Sequence, residues 1–325
     1  MKLKQKLYNI NKLKNPVILT VFIVLIVYTV SVFMILGWGL LTSLKSYTDF
    51  DTANNVLGLP NAEWSAKEIL FSNYKNVLDN LNNVKVYTNS YYSSIFGLIK
   101  RPSKIVTFLG LLFNTLMYAG VACFVRIFTT LTMGYVCSKY KYKYSAFLKA
   151  LTIVLMTLPI VGTWPSELAL LRNLGLYDSL IGMVIQNIAF ASMYFLIFIN
   201  FFDGLSDTYF EAAEIDGASQ FRCYLTIALP LSTKIFATVF LLNFMINYND
   251  YQTPLLYYPS YPTLSYGIYD LANKSFNSSG LSPLEALAIP QKVAGCMILA
   301  APALIIFVCF KDILMGNISL GGLKE

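Results

Sequence analysis

The feature that most limits what this chain can fold into is a set of apolar runs that no charge interrupts. Residues 15–44 contain no Asp, Glu, Lys or Arg and include VILTVFIVLIVYTVSVFMILGWGLL. A helix needs about 20 mostly apolar residues to cross the hydrocarbon of a bilayer. By that measure residues 15–44, 105–125, 150–166, 179–202, 235–249 and 293–310 predict six transmembrane helices. The second run resumes after Arg126 and can extend towards Tyr135; Arg126 is expected near the inner interface. The third contains Pro159. The fifth is short, and the YQTPLL that follows can lengthen it. The first run exceeds the apolar core of about 7–15 residues found in signal peptides, and KSYTDFD follows it rather than a small-residue cleavage site, so it reads as a retained anchor.

The side-chain inventory agrees and narrows the chemistry. Hydrophobic residues make up 56% and charged ones 13%, against about 25% charged in soluble domains. A water-soluble globule and a disordered chain are both excluded. There is no histidine, which removes histidine-based triads, metal sites and pH switches together. The five cysteines form no C-x-x-C pair and read as small buried hydrophobes rather than a disulfide framework or a metal site. No G-x-x-x-x-G-K-[ST] occurs, so the chain has no P-loop of its own. No metal, cofactor or catalytic residue is predicted.

The net charge of +7 is an orientation signal before it is a nucleic-acid footprint, because membrane proteins keep Lys and Arg on the cytoplasmic side. The tail MKLKQKLYNINKLKN carries five lysines and KYKYKYSAFLK four more. Both fall inside if the N-terminus is cytoplasmic, and six crossings return the C-terminus there. The expected organisation is a cytoplasmic tail (1–16), a first helix (17–43), an extracytoplasmic segment (44–104), a core of transmembrane helices (105–310) and a cytoplasmic tail (311–325). Residues 163–178 lie outside as a short interfacial helix, with Pro165 near its start and Gly175 as its stop.

The cytoplasmic loop 203–234, DGLSDTYFEAAEIDGASQFRCYLTIALPLSTK, carries the strongest pattern. Thr208 and Glu211 have capping-box spacing. Asp207, Glu211 and Glu214 share one helix face, which has no evident internal partner. Gly217 permits a sharp turn, and a second helical stretch runs to Pro230. The residues alone leave open a solvated loop or a docking surface for a basic partner.

This loop resembles the signature of permease subunits of binding-protein-dependent ABC importers: E-A-A, three residues, G, nine residues, I-x-L-P. Here those are Glu211, Ala212, Ala213, Gly217, Ile227, Leu229 and Pro230, with no departure in spacing. FSNYKNVL (71–78), FNTLMYAG (113–120), NLGLYDSLIGMVI (173–185), NYNDYQTPLLY (247–257) and the tail GGLKE (321–325) are similar to segments of the maltose-G-like carbohydrate permeases, although Tyr248 stands where that branch usually has tryptophan. The resemblance covers residues from about 70 to 325. It implies an all-α, type I importer permease of the bacterial cell membrane, without enzymatic activity of its own. Its partners would be a second homologous permease, an ABC ATPase dimer and an extracytoplasmic solute-binding protein. The loop would be the coupling helix, with Glu211 touching the ATPase and Asp207 and Glu214 extending that contact.

A sugar route calls for neutral hydrogen-bonding groups and aromatic faces. Asn243 and Asn247, with Tyr248 and Tyr251 beside them, and Asn114 with Tyr118 on the face that begins at Thr107, are the candidates for the substrate path. Interhelical hydrogen bonds and an interfacial aromatic belt account for the same residues. The uncharged runs hold no Asp or Glu, which argues against an ion-coupled carrier. A membrane-embedded transferase would need a polar catalytic cluster that the chain lacks. A non-sugar cargo such as a peptide, amino acid or phosphate is the remaining alternative.

Overall fold

The computed structural model describes residues 16–52, 54–61, 71–86, 104–140, 142–158, 162–188, 192–277 and 289–318. The basic tail before Pro16, Pro159 and the GGLKE tail lie outside the described residues. The chain divides into two units, residues 1–79 with 274–298, and residues 80–273 with 299–325.

In the first unit, helix α1 (Pro16–Ser43) is exposed along its length up to Leu36. An uncharged helix of 28 residues, about 42 Å long, is long and apolar enough to cross a membrane. Its C-terminal end is polar and tied down. Asn73, at the start of α2 (Ser72–Leu81), donates to the carbonyls of Ser43 (2.9 Å) and Lys45 (2.8 Å). Lys45 is fully buried, and its ammonium donates to the carbonyls of Asn55 (2.6 Å) and Val56 (3.2 Å). Burial holds this ammonium below the usual lysine pKa, an effect that nearby Asp49 opposes. Asp49 accepts from the Asn55 amide (2.9 Å) and the Asn61 backbone N–H (2.9 Å).

The second unit opens with a two-stranded antiparallel ribbon, β1 (Val84–Val86) and β2 (Lys104–Val106). Helix α3 (Phe108–Lys139), capped by the Thr107 hydroxyl, is the longest of this unit's described helices and its centre. It packs against α7 (Met193–Asp203) and α10 (Leu229–Asn249). Gly134 makes the first contact possible: a Cβ there would lie 2.8 Å from the Phe198 Cβ. The core between these helices holds Ala119, Cys123, Ile127, Leu131, Phe198, Phe202 and Tyr248.

Among the described residues four helices are long and apolar enough to cross a membrane: Pro16–Ser43, Phe108–Lys139, Gln220–Asn249 and Ile289–Lys311. The other two expected crossings are built from shorter pieces. α4 (Lys143–Thr157) has 15 residues. The run 179–202 is divided into α6 (Leu180–Asn187) and α7, with Ile188 and Ser192 both extended. Between them in sequence lies α5 (Thr163–Asn173), where the Pro165 and Gly175 signals put a short helix. Gly175 adopts φ +67°, and the Leu176 N–H reaches back to the Leu171 carbonyl (2.8 Å), a Schellman end. Tyr118, Leu171, Met183, Tyr257 and Tyr258 make a second core cluster at this end of α3.

The structure corrects one boundary. Asp250 is extended and stops α10, so YQTPLL does not lengthen the fifth span but forms a separate turn, α11 (Gln252–Tyr257). Arg126 lies within α3, 13 residues (about 20 Å) from its Lys139 end.

Candidate functional site

The first arm of loop 203–234 is helix α8 (Thr208–Ile215). The expected capping box does not form. Asp207, not Thr208, is the N-cap residue, it is already helical, and its side chain caps nothing. The Thr208 hydroxyl lies 2.8 Å from Ser206 Oγ instead. The C-terminal end follows the sequence. Gly217 adopts φ +81°, the Ala218 N–H donates to the Ala213 carbonyl and the Gly217 N–H to the Glu214 carbonyl, both at 2.9 Å. That is a Schellman motif, and only a residue at ease in the left-handed region closes it without strain. Nothing lies within 4 Å of a Cβ built at Gly217, so the backbone conformation, not crowding, calls for glycine.

The acidic face does have internal partners, contrary to expectation. Lys139, at the end of α3, donates to Asp207 Oδ1 (2.6 Å) and the Leu205 carbonyl (2.9 Å) and lies 4.8 Å from the Phe210 ring centre. Glu214 accepts from Gln220 Nε2 (2.5 Å), and Gln220 Oε1 accepts from the Tyr140 hydroxyl (2.5 Å). Burial raises Tyr140 above the usual phenol pKa and so keeps that hydroxyl a donor. Lys139 and Tyr140 thus grip the two arms of the loop from one helix end. Among the described residues the Glu211 carboxylate has no such bond. Glu211 and Ala212 are exposed, Ala213 packs on the core beside buried Phe210, and Ile215 is 86% exposed.

The second arm does not end at Pro230. α9 (Gln220–Cys223), a π-helical turn (Tyr224–Ala228) and α10 run on as one helix from Gln220 to Asn249. Proline removes an N–H and crowds the preceding turn. Here the wider turn, with the Leu229 N–H bonded to the Tyr224 carbonyl, precedes Pro230 and lets the helix pass through it. Ile227 and Leu229 pack on the core, and Pro230 is exposed.

The path candidates fall in separate places. Asn114 donates to the Pro262 carbonyl and Tyr118 to Asp250 Oδ2, both at 3.0 Å. Both also line a cavity of about 110 Å³ with Met183, Tyr258 and Tyr261. Asn243 donates to the Tyr194 hydroxyl (3.1 Å) and accepts from Asn247 (2.8 Å). Tyr248 is 0% exposed and donates to the Leu299 carbonyl (3.0 Å), which makes it a packing residue of this fold. The Tyr251 ring stacks on Tyr269 at 4.2 Å. Among the described residues no group of three or more His, Cys, Asp or Glu could hold a metal ion.

Residues 127–319 match the family described as "binding-protein-dependent transport system inner membrane component". The chain belongs to that family. It is a multi-pass bacterial membrane protein, a transport component rather than a known enzyme. The matched region contains the whole loop from Thr208 to Pro230. Among its relatives, the diacetylchitobiose uptake system permease protein NgcG of Streptomyces coelicolor is 23% identical over 91% of this chain and 86% of its own length. The sn-glycerol-3-phosphate transport system permease protein UgpE of Yersinia enterocolitica is 31% identical over 45% of this chain; the match spans about half (52%) of that protein. A chain from the crystal structure of a bacterial ABC transporter involved in the import of the acidic polysaccharide alginate superposes with a TM-score of 0.61 at 20% identity, over 94% of this chain and 96% of that one. The fold is that of an ABC importer permease.

Several residues of this family member escaped the sequence reading. Lys139 and Tyr140 look like any cytoplasmic lysine–tyrosine run. Asp178, with φ +56°, accepts from the Ser260 N–H (2.9 Å) and hydroxyl (2.5 Å). Asp250 accepts from Tyr118 and from the Gln252 and Thr253 N–H groups that start α11. Each pairs across more than 60 residues of sequence, where spacing patterns carry no signal. A lone Asp beside a proline-containing turn was the available hint for Asp250.

Proposed function

We propose that this chain is the membrane-spanning subunit of a carbohydrate importer, oriented with both termini in the cytoplasm. It pairs with a second, homologous permease, binds two copies of a separate ATPase and receives its sugar from an extracytoplasmic binding protein. Helix α8 sits in a cleft of the ATPase. ATP-driven closure of that subunit moves α8, and the bundle rocks between inward-open and outward-open states.

One observation carries this reading. Glu211 presents a carboxylate with no internal hydrogen bond or ion pair among the described residues, on a helix whose two neighbouring acids are held from within. Exposed Ile215 and Tyr209 accompany it. A charge framed by exposed apolar side chains suits a protein partner better than bare solvent. The names of the diacetylchitobiose and alginate proteins support a saccharide cargo. Asn114 and Tyr118 at their cavity, and the Asn243–Asn247 pair, are the proposed cargo contacts; Tyr248 and Tyr251 support the structure.

The test is co-purification in mild detergent followed by reconstitution. An ATPase and a second permease should co-elute, and a sugar with its binding protein should raise hydrolysis. Glu211→Lys should lower uptake at least tenfold while the chain still inserts. A chain that elutes alone, or Glu211→Lys and Gly217→Val variants with intact coupled uptake, overturns the assignment.

A further inference from the structure

A cavity of about 520 Å³ opens where three helix ends meet: α3 stops at Lys139, α4 starts at Lys143 and α7 stops at Asp203. Its walls are Ser138 of α3, Tyr142, Ser145, Ala146 and Lys149 from α4 and the residue before it, and Asp203 of α7. Tyr142, Ser145 and Lys149 recur at i, i+3 and i+7, so α4 turns one polar stripe towards the cavity. The volume falls in the range of small-molecule sites.

The charges in and beside this cavity do not cancel. Asp203 accepts from Ser138 Oγ (2.5 Å) and from Lys149 Nζ (3.3 Å), which offsets its own charge. An ammonium has three donors, and among the described residues Lys149 uses one of them. Lys143 is exposed, and the ion pairs found among the described residues are Lys139–Asp207 and Lys149–Asp203, neither of which includes it. The balance is one positive charge, with spare donors at Lys149.

The surroundings point to the kind of anion. Past Lys149, α4 carries no charge to its end at Thr157 and exposes Ile153, Val154 and Met156. At its other end Tyr142 and Tyr144 are exposed beside Lys143. Tyrosine and lysine at the edge of an apolar surface mark the level of lipid headgroups. Lys149 lies six residues, about 9 Å, into α4. Its ammonium nevertheless reaches the last residue of α7, as a lysine does when its stem runs along apolar surface towards a polar edge. Basic pockets between membrane helices on the cytoplasmic side suit anionic headgroups.

We infer that this cavity binds the headgroup of an anionic phospholipid of the cytoplasmic leaflet, of the phosphoglycerol kind. The phosphate takes Lys149 and Lys143, and the glycerol hydroxyls donate to Asp203 and meet Ser145. The cytoplasmic side rests on the importer reading. The bound headgroup ties α4 to the ends of α3 and α7, the same ends that carry Lys139 and the start of the loop it grips, and so steadies the base on which α8 sits.

The test exchanges the assembled complex into vesicles of phosphatidylglycerol mixed with phosphatidylcholine, extracts it, and counts retained lipid by native mass spectrometry. Phosphatidylglycerol should be retained in preference. Lys149→Gln should lower its retention about fivefold, the loss expected for one lysine at an anionic surface, and Lys149→Arg should preserve it. Ala146→Trp, which changes no charge and fills the cavity, should lower retention as well. Retention indifferent to Lys149→Gln overturns the proposal. So does a loss in Lys149→Gln with none in Ala146→Trp, which describes a diffuse lipid film rather than a site. Soluble glycerol phosphate should leave the lipid in place; if it displaces the lipid, the occupant is a free phosphate and the proposal falls. A complex that imports no carbohydrate sinks the importer reading instead, and the lipid count still decides whether the headgroup site exists.

Discussion

At the scale of single residues, Gly217 and Lys139 make the sharpest claims. Because a Cβ at Gly217 meets nothing, substitutions there should rank by tolerance of the left-handed backbone rather than by size. Gly217→Asn should be mild, Gly217→Ala should cost roughly 1 kcal/mol and Gly217→Val more. Thermal unfolding of the detergent-solubilised complex checks the order; a ranking by volume would refute it. The Lys139–Asp207 pair has one partner 11% exposed and the other 66%, so its Coulomb part is worth about 0.5 kcal/mol. Lys139 also holds a carbonyl and an aromatic face. Lys139→Ala should therefore destabilise by about 1–2 kcal/mol and Asp207→Ala by less; equal losses would reduce the clamp to a simple ion pair. The E-A-A-x3-G spacing exposed the need for Gly217 because a helix end is a local event. It could not expose Lys139, because a partner 68 residues away leaves no mark on local periodicity.

At the scale of elements, the informative feature is the joint between loop and span. Sequence reading ended the second arm at Pro230, since proline ordinarily stops a helix. The π-helical turn Tyr224–Ala228 absorbs that proline, and a turn of this kind has no composition of its own to betray it. Deleting Thr226 should convert it to an ordinary α turn and rotate everything before it by about 100° relative to α10. Coupled uptake should vanish in that variant while membrane insertion persists; retained uptake would mean the turn is incidental. The short helix α5 was legible for the opposite reason, since a proline at its start and a left-handed glycine at its end are strictly local signals. The division of the run 179–202 was illegible, because hydropathy reports burial in lipid and is blind to whether an apolar stretch is one helix or two.

For the whole molecule, apolar runs and lysine placement suffice to draw a topology, and that drawing is testable. Leu57→Cys, on the exposed loop after α1, should react with an impermeant thiol reagent added to intact cells, whereas Ile215→Cys should react only after permeabilisation. The reverse pattern would invert the orientation and remove α8 from reach of any cytoplasmic ATPase. The arrangement of polar groups inside the bundle lies beyond such reading. Asn243 meets Tyr194, Tyr118 meets Asp250 and Arg126 meets Asn187 only because four helices, α3, α6, α7 and α10, pack where they do.

The unbroken helix from Gln220 to Asn249 has a mechanical corollary. Thirty residues make a rod about 45 Å long. If the π-helical turn transmits the motion stiffly, the rod magnifies: tilting it by about 5° around its Gln220 end carries the far end through about 4 Å, given a rise of about 1.5 Å per residue. A nudge at Gln220 too small to break a hydrogen bond would swing Asn247 by more than the width of a water molecule.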